Sequence, residues 1–293
     1  MRLSAKEIWE LLKETYGEWN QDNAPLLGAA LAFYTIFSLA PVFIIIMAIV
    51  GYFLGKEAVQ VHLINRLADF VGKDNATNII MMAQDSYRHS SGKVATLIAL
   101  LFMLIGSTTV FVVLKNALNN MWGVRNHHTK FLDIFKDRGI SFLIVLLCGV
   151  ILFISMIFSS TLAVLNNWLE GFFTVPIYFF QVTDYIFSLI ILTLIFAILY
   201  KFLPDVEISW KDVMIGALIT ALLFILGKFF VGLYLSRKHV SLAYGAAGSL
   251  VVILLWVYYS AQIVFIGAEF TQVYARKYGT AIKPKHPGAT TAS

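Results

Sequence analysis

The chain has 293 residues, of which 59% are hydrophobic and only 13% are charged. A soluble domain carries about 25% charged residues, so this composition excludes a water-soluble globular protein and indicates an integral membrane protein. The formal net charge of +5 is typical of basic cytoplasmic loops rather than of a nucleic-acid-binding surface. The single cysteine, Cys148, excludes disulfide bonds within the chain.

Residues 1–25 are polar and predict a cytoplasmic amphipathic helix. At helical spacing, Ile8, Leu11, Leu12 and Trp19 fall near one face. Such a helix is expected to lie in the interface of the inner leaflet, with its apolar side toward lipid. A cleavable signal peptide is not indicated, because the first apolar run is too long to be a signal-peptide core.

Residues 26–280 predict an all-α, polytopic membrane domain. A spanning helix needs about 20 apolar residues, and six segments of the sequence reach that length. Pro41 is expected to kink the first of them, and the short apolar run at 172–180 is interpreted as an interfacial or re-entrant piece. The predicted spans are 26–54, 94–114, 140–165, 185–203, 213–235 and 240–268.

The distribution of lysine and arginine predicts that both termini are cytoplasmic. With the N-terminus inside, the inner segments hold about twice as many of these residues as the outer segments, which is the bias expected of cytoplasmic loops. The long outer connection, 55–93, is then interpreted as a small subdomain of amphipathic helices. Residues 281–293 predict a disordered cytoplasmic tail.

Lys228 is the first ionisable residue that needs an explanation, because it lies about 10 Å inside the fifth predicted span at 1.5 Å per residue. A lysine at that depth is costly unless polar groups satisfy it. The sharpest hypothesis is that it faces Tyr244, Gly245 and Gly248 and lines an outward-opening cavity, since small residues allow two helices to approach closely. Snorkelling toward the headgroups and a structural bond to a carbonyl are the alternatives.

Glu269 is the second ionisable residue that needs an explanation. It lies near the inner end of the sixth predicted span, too far along the helix to reach Lys228. Its candidate partners are cations at the inner ends of other spans, namely Lys115, Arg138 and Lys201. An interfacial ion pair with one of them is the simpler interpretation. A site for a coupling ion or a proton is the alternative.

Polar side chains on the first and last spans are further candidates for substrate contact. Tyr34 and Ser38 are four residues apart and share a helical face, and Gln262 lies one turn from Tyr258. Hydrogen bonding between helices is the more common role of such residues in membranes, so both interpretations are kept.

Four stretches carry a family resemblance. They are "GAALAFYTIFSLAPVFIIIMAIVG", "LKNALNNMWGV", "YKFLPDVEISWKDVMIGALITALLFILGKFFVGLYL" and "YGAAGSLVVILLWVYYSAQIVFIGAE". Together they resemble the YihY/virulence factor BrkB family over about residues 15–280. The resemblance implies a bacterial inner-membrane protein with six transmembrane helices, in a family described as virulence factors, as transporter-like and, by an old name, as ribonuclease BN.

The ribonuclease name finds no support in the residues. A metal nuclease needs clustered carboxylates and histidines, and the nearest candidate stretch is "NHHTKFLDIFKDR" at 126–138. This stretch is full of positive charge and is better interpreted as a basic loop beside the membrane. We therefore expect no enzymatic activity, no metal site and no cofactor.

The leading functional hypothesis is a transporter or flippase-like protein for a lipid or another amphipathic or anionic substrate. An envelope scaffold that acts through residues 55–93 is the alternative, and an ion channel is a weaker third, because the sequence shows no ring of acidic residues. The expected partners are membrane lipids, with a homo-oligomer or an envelope protein also considered and no nucleic acid. The substrate, energy source, direction and oligomeric state are not determined by the sequence.

Overall fold

The protein divides into two compact units, each of which draws on distant parts of the chain. The first unit contains residues 1–22, 118–225 and 264–293, and the second contains residues 23–117 and 226–263. The computed structural model describes residues 4–38, 109–124, 177–235, 248–280 and 282–285, with separate positions inside 60–81 and 139–162.

The first helix, α1 (Ala5–Gln21), begins at a capping box. The Ser4 hydroxyl accepts a hydrogen bond from the Glu7 N–H at 3.3 Å, and the Glu7 carboxylate accepts one from the Ser4 N–H at 2.6 Å. These two bonds satisfy backbone donors that the first helical turn leaves without partners. After α1, Asn23 has a left-handed backbone with φ of 53°, which stops the helix and allows α2 (Ala24–Ser38) to begin at once.

Three helices within the described residues are long and apolar enough to cross a membrane. They are α5 (Ile177–Phe202), α6 (Trp210–Leu235) and α7 (Gly248–Tyr278). They confirm the helical class and overlap the last three predicted spans, of which residues 240–247 lie outside the described residues. The prediction ended the last span at 268, whereas α7 continues to Tyr278. The reason is that the final turns of α7 pack against α1, so they are stabilised by contacts within the protein rather than by lipid.

Two shorter helices, α3 (109–121) and α4 (Leu147–Leu162), accompany these spans. The start of the first predicted span coincides with α2. The remainder of that span, most of the second predicted span, the kink at Pro41, the run at 172–180 and most of the predicted outer subdomain at 55–93 lie outside the described residues.

In the first unit, α6 and α7 pack closely through glycines that face threonines. A Cβ atom on Gly216 would lie 1.7 Å from the Thr271 hydroxyl, and one on Gly267 would lie 1.9 Å from the Thr220 hydroxyl. Each threonine donates its hydroxyl to its own helix, Thr220 to the Gly216 carbonyl and Thr271 to the Gly267 carbonyl. Small residues therefore bring these backbones together, as in other helix pairs within bilayers.

The connection between α5 and α6 is fixed from two sides. Asn119 donates to the Asp205 carboxylate at 3.0 Å and accepts from the Asp205 N–H at 2.8 Å. The strand β1 (Val206–Glu207) pairs antiparallel with β2 (Lys283–Pro284). Lys283 and Pro284 thus differ from the predicted disordered tail, because pairing with β1 satisfies their backbone.

In the second unit, α2 and α6 both pack against α7. Gln262 donates from its amide to the Ala24 carbonyl at 3.3 Å, and a Cβ atom on Gly28 would lie 2.0 Å from the same amide nitrogen. A Cβ atom on Gly227 would lie 2.2 Å from the Tyr259 hydroxyl. The absence of a side chain at Gly28 and Gly227 is therefore what permits these contacts.

The outer faces of the spans carry apolar stripes. On α5, the side chains at Ile186, Ile190 and Leu194 recur every four residues and are exposed, and on α6 the side chains at Leu218 and Leu222 behave likewise. Continuous apolar surface of this kind is unfavourable in water. It is the surface expected of helices that face lipid.

Candidate functional site

A cluster of carboxylates joins α1 to the C-terminal part of α7 in the first unit. Glu14, Glu18 and Asp22 are spaced four residues apart and therefore share one face of α1. Arg276 bonds to both Glu14 and Glu18, the latter at 2.8 Å, and Lys277 bonds to Glu14. These ion pairs fix the position of α1 and leave Asp22 as the next carboxyl along the same face.

Apolar packing supports the same contact. Leu11 is 2% exposed and belongs to a buried cluster with Phe270 and Val273 of α7. The prediction placed Leu11 with Ile8 and Leu12 on one lipid-facing side, but Ile8 and Leu12 are exposed while Leu11 is buried. The prediction is wrong for Leu11 because α7, rather than lipid, covers that side of the helix.

Glu269 is the most unusual residue of the cluster, because its side chain is fully buried in α7. Neither of its carboxylate oxygens has a hydrogen-bond donor among the described residues. The Asp22 carboxyl lies close enough for the two acidic groups to interact. We call Asp22 and Glu269 the carboxyl pair.

The environment of Asp22 favours its protonated form. Burial raises the pKa of the Asp22 carboxyl, the neighbouring Glu269 carboxyl acts to lower it, and the negative charge of Glu18 raises it again. Two carboxylates at close range cannot both ionise without strong repulsion. The carboxyl pair therefore brings two acidic groups together in a partly buried position.

The neighbouring Glu14 shows the opposite behaviour. Burial acts to raise the pKa of its carboxyl, but the hydrogen bonds and positive charges of Lys277 and Arg276 outweigh burial and lower the pKa. Two carboxyl groups on the same side of α1 and its C-cap thus differ: the pKa of Glu14 is lowered and that of Asp22 is raised. The number and distance of the cations on α7 account for this difference.

Aromatic and amide side chains support the turn of α7 that carries Glu269. The Trp122 indole N–H donates to the Ala268 carbonyl at 3.1 Å, and the Tyr200 hydroxyl donates to the Val264 carbonyl at 2.8 Å. On the other side of the pair, the Asn120 amide donates to the Asp22 carbonyl at 3.4 Å. These contacts bring the "NNMWG", "LPD" and "GAE" motifs of the sequence to one region of the first unit.

The predicted partners of Glu269 are not bonded to it in the part of the chain that the structure describes. Lys201 donates instead to the Ile208 carbonyl and lies 5.7 Å from the centre of the Trp210 ring. Lys115 is buried at 4% exposure in the second unit, and Arg138 lies outside the described residues. In the same described part, no group of three histidine, cysteine, aspartate or glutamate side chains is placed to hold a metal ion.

The predicted cavity around Lys228 is only partly described. Lys228 is half-buried and engaged with neighbouring groups, whereas Tyr244 and Gly245 lie outside the described residues. Gly227 packs on Tyr259, which lies eleven residues beyond Gly248 on α7, or about 16 Å at 1.5 Å per residue. Gly248 is therefore not at the same depth as Lys228. The prediction placed them at one depth because it assumed that the fifth span ends and the sixth span begins at the same level of the membrane.

The remaining candidate substrate ligands make contacts within and between helices. Ser38 is buried and donates to the Tyr34 and Thr35 carbonyls of its own helix, each at 3.0 Å. The Tyr34 side chain is exposed. The Gln262 amide donates to Ala24, while its carbonyl oxygen is buried without a partner among the described residues.

The sequence contained a signal for Asp22 and Glu18 that the prediction did not use. The apolar residues of the N-terminal segment predicted an amphipathic helix, but the acidic residues at 14, 18 and 22 repeat every four positions as well. Such a repeat indicates a second, acidic face on the same helix. It could not reveal the contact with Glu269, which lies 247 residues further along the chain.

Three membrane-length helices with apolar outer faces and closely packed small residues define an integral membrane protein. The chain belongs to the virulence factor BrkB family, whose sequence profile matches residues 15–291. Family membership confirms the resemblance that the motifs indicated.

Several curated relatives are named UPF0761 membrane proteins. One from Cronobacter sakazakii is 30% identical over 264 residues, covering 89% of this chain and 86% of its own length. One from Psychromonas ingrahamii is 27% identical, covering 92% of each chain. One from Ralstonia nicotianae is 23% identical and covers 85% of this chain but 55% of its own length. No solved structure shows significant similarity to the protein.

Proposed function

We propose that this protein is a proton-linked transporter of a lipid or another amphipathic, anionic substrate, and that Asp22 and Glu269 bind the coupling proton. The observation that carries the proposal is the burial of Glu269 without a donor among the described residues. An ionisable group at such a position is costly, and proton relays in transporters are built from such carboxyl groups. The proposal involves no enzymatic step.

The contacts of α1 support a movement coupled to the proton. The carboxyl pair joins two elements, α1 and α7, that are otherwise held together by ion pairs and by the packing of Leu11. When the pair holds one proton, Asp22 and Glu269 attract each other, and when it loses that proton they repel each other. Proton loss therefore favours separation of this end of α1 from α7.

The amphipathic nature of the proposed substrate rests on composition and on exposed surfaces. The spans carry large exposed apolar side chains, which allow a lipid tail to remain in the bilayer while its headgroup moves along the protein. Lys228 is half-buried in α6 and supplies a positive charge for an anionic headgroup. The scaffold hypothesis offers no role for a buried carboxyl pair.

The experiment uses purified protein in liposomes that contain a trace of fluorescent phosphatidylglycerol. External dithionite destroys the fluorophore in the outer leaflet, so the rate of further loss measures lipid movement between leaflets. We expect wild-type protein to accelerate this loss above empty liposomes and to respond to an imposed pH gradient. Glu269→Gln mimics the protonated acid and should fold normally but lose the response to the gradient by about tenfold or more, as when a proton-transfer group is removed.

Two comparisons make the outcome decisive. Glu10→Gln changes an exposed carboxylate on α1 and should leave the response to the gradient unchanged, while Glu269→Asp should retain part of it. A gradient response in Glu269→Gln equal to that of the wild type would contradict the role of the pair. Lipid movement no faster than in empty liposomes, with folded protein, would favour the scaffold instead.

A further inference from the structure

A second polar site lies in the first unit, at the connection between α5 and α6. The paired strands β1 and β2 form one side of an open cavity of about 520 Å³, which is within the usual range of small-ligand sites, about 300–1,000 Å³. Six of its lining residues are polar or charged. They are Lys201, Glu207, Ser209, Thr280, Lys283 and Lys285.

The charge of this cavity is predominantly positive, with three lysines against one glutamate. Lys201 and Lys285 donate to the carbonyls of Ile208 and Pro204, which fixes their positions. Lys283 lies opposite Glu207 in the strand register, but no ion pair joins the two. Lys201 and Lys283 are therefore cations without a carboxylate partner among the described residues.

The cavity lies at the level of the membrane surface. Lys201 and Phe202 end one span, and Trp210 begins the next. The rings of Phe202 and Trp210 are about half exposed and meet edge to face at 5.8 Å, with the Lys201 ammonium above the indole. Aromatic rings of this kind mark the headgroup region of a bilayer, so the lysines of the cavity are within reach of lipid headgroups.

We infer that this cavity binds the phosphate group of an anionic phospholipid headgroup. Basic pockets beside spanning helices are suited to such headgroups, and the lipid tails would lie along the exposed apolar face of α6. The Ser209 hydroxyl accepts from the Lys211 N–H and retains its own hydrogen for a phosphate oxygen. The site is separate from the carboxyl pair and does not depend on the proposed transport.

The binding test follows the melting temperature of the purified protein in detergent during titration with a short-chain lipid. The three titrants are phosphatidylglycerol, phosphatidylcholine of the same chain length, and sodium phosphate. We expect phosphatidylglycerol to stabilise the protein at concentrations where phosphatidylcholine does not. Lys201→Gln and Lys283→Gln should each weaken this effect about fivefold, in keeping with the attraction of one lysine to an anionic lipid surface.

Lys211→Gln is the matched control, because Lys211 is exposed at the start of α6 but does not line the cavity. It should retain the wild-type response. A second outcome is that sodium phosphate stabilises the protein as strongly as phosphatidylglycerol does, with the effect abolished in the two lysine variants. In that case the cavity binds a phosphate group, but the natural ligand is a soluble phosphate rather than a lipid. Stabilisation that survives in both Lys201→Gln and Lys283→Gln, or no difference between the two lipids, would overturn the inference. Lys283 is exposed on β2, so its variant remains informative if Lys201→Gln fails to fold.

Discussion

At the residue scale, Gly267 is among the most constrained positions described. A Cβ atom there would lie 1.9 Å from the Thr220 hydroxyl and 2.6 Å from the Tyr200 hydroxyl. We expect Gly267→Ala to lower the free energy of unfolding by about 1–3 kcal/mol, because the helices must move apart or their side chains must leave preferred rotamers. The melting temperature of the purified protein in detergent measures this change.

Gly17 provides the control for that substitution. It lies inside α1, and a Cβ atom at this position would meet nothing within 4 Å. Gly17→Ala should leave the melting temperature unchanged or raise it slightly, since alanine favours a helix by about 1 kcal/mol over glycine. Equal melting temperatures for wild type and Gly267→Ala would contradict the close packing of α6 and α7.

Single residues also show where sequence analysis succeeds and where it stops. Glu269 could be identified because an acid in an apolar segment is conspicuous. Its neighbour Asp22 could not, because the contact requires the folded arrangement of α1 on α7. The sequence likewise cannot show that Lys201 bonds to a carbonyl, since a lysine at the end of a span has several partners within reach.

At the scale of elements, the docking of α1 on α7 should depend on pH through Glu14. The pKa of Glu14 is lowered from its ordinary value of 4.5. The ionised carboxylate therefore stabilises the folded state when the pH is above 4.5, and this contribution is lost as the pH falls below 4.5. Glu14→Gln should therefore be less stable than wild type at pH 7, by less than about 1 kcal/mol for a partly exposed ion pair. Melting temperatures measured between pH 7 and pH 4 should show this gap closing.

Glu10→Gln serves as the comparison, because Glu10 is exposed and forms no ion pair with α7 within the described residues. Its stability difference from the wild type should be smaller, because the charge of Glu10 acts on Lys277 only from a distance. A gap for Glu14→Gln that stays constant down to pH 4 would mean that the carboxylate does not act through its charge. The contribution of Asp22 to stability changes with pH in the opposite direction. Its raised pKa makes the folded state less stable as the pH rises above 3.8.

The exposed surface of α1 has two different sides, and this predicts its labelling in liposomes. Trp9, Leu12 and Tyr16 form an exposed apolar side, whereas Glu10 is exposed on the side of α1 opposite Leu12. In a Cys148→Ser background, Leu12→Cys should react with a water-soluble maleimide about tenfold more slowly than Glu10→Cys, as expected for a thiol buried roughly 5–10 Å into the interface. The labelling rates of the two cysteines in denaturing detergent serve as the control and should be equal. Equal labelling rates in liposomes as well would show that both sides of α1 face water.

The elements also differ in how well the sequence predicts them. The spans α5, α6 and α7 follow from length and hydropathy, because lipid requires about 20 apolar residues in a row. The strands β1 and β2 have two residues each and carry no detectable alternation. Similarly, the side of α1 that Leu11 occupies is determined by α7, which an analysis of α1 alone does not include.

At the scale of the whole molecule, the contact between α1 and the end of α7 determines a property of the topology. Glu14 and Arg276 can bond only if they lie on the same side of the membrane. The chain must then cross the bilayer an even number of times between them, which agrees with six predicted spans. We expect Lys6→Cys and Ser293→Cys, in the Cys148→Ser background, to react with an impermeant maleimide from the same side of sealed vesicles.

Vesicles of known orientation are needed for this measurement, and a reagent that crosses membranes provides the total labelling. Reaction of the two cysteines from opposite sides would contradict the α1 contact and the even number of crossings together. Reaction of both from the cytoplasmic side would in addition bear out the orientation that the lysine and arginine distribution predicts.

The separation in sequence between Glu14 and Arg276, 262 residues, has a consequence for biosynthesis. The ribosome makes α1 long before the cationic turn of α7, so Glu14, Glu18 and Asp22 have no countercharge on α7 while the intervening helices enter the membrane. Synthesis of that turn of α7 is therefore the event that fixes the position of α1. In a polypeptide released before Arg276 is made, α1 lacks its ion pairs with α7. We expect the N-terminal segment of such an incomplete polypeptide to be cleaved more readily by proteases.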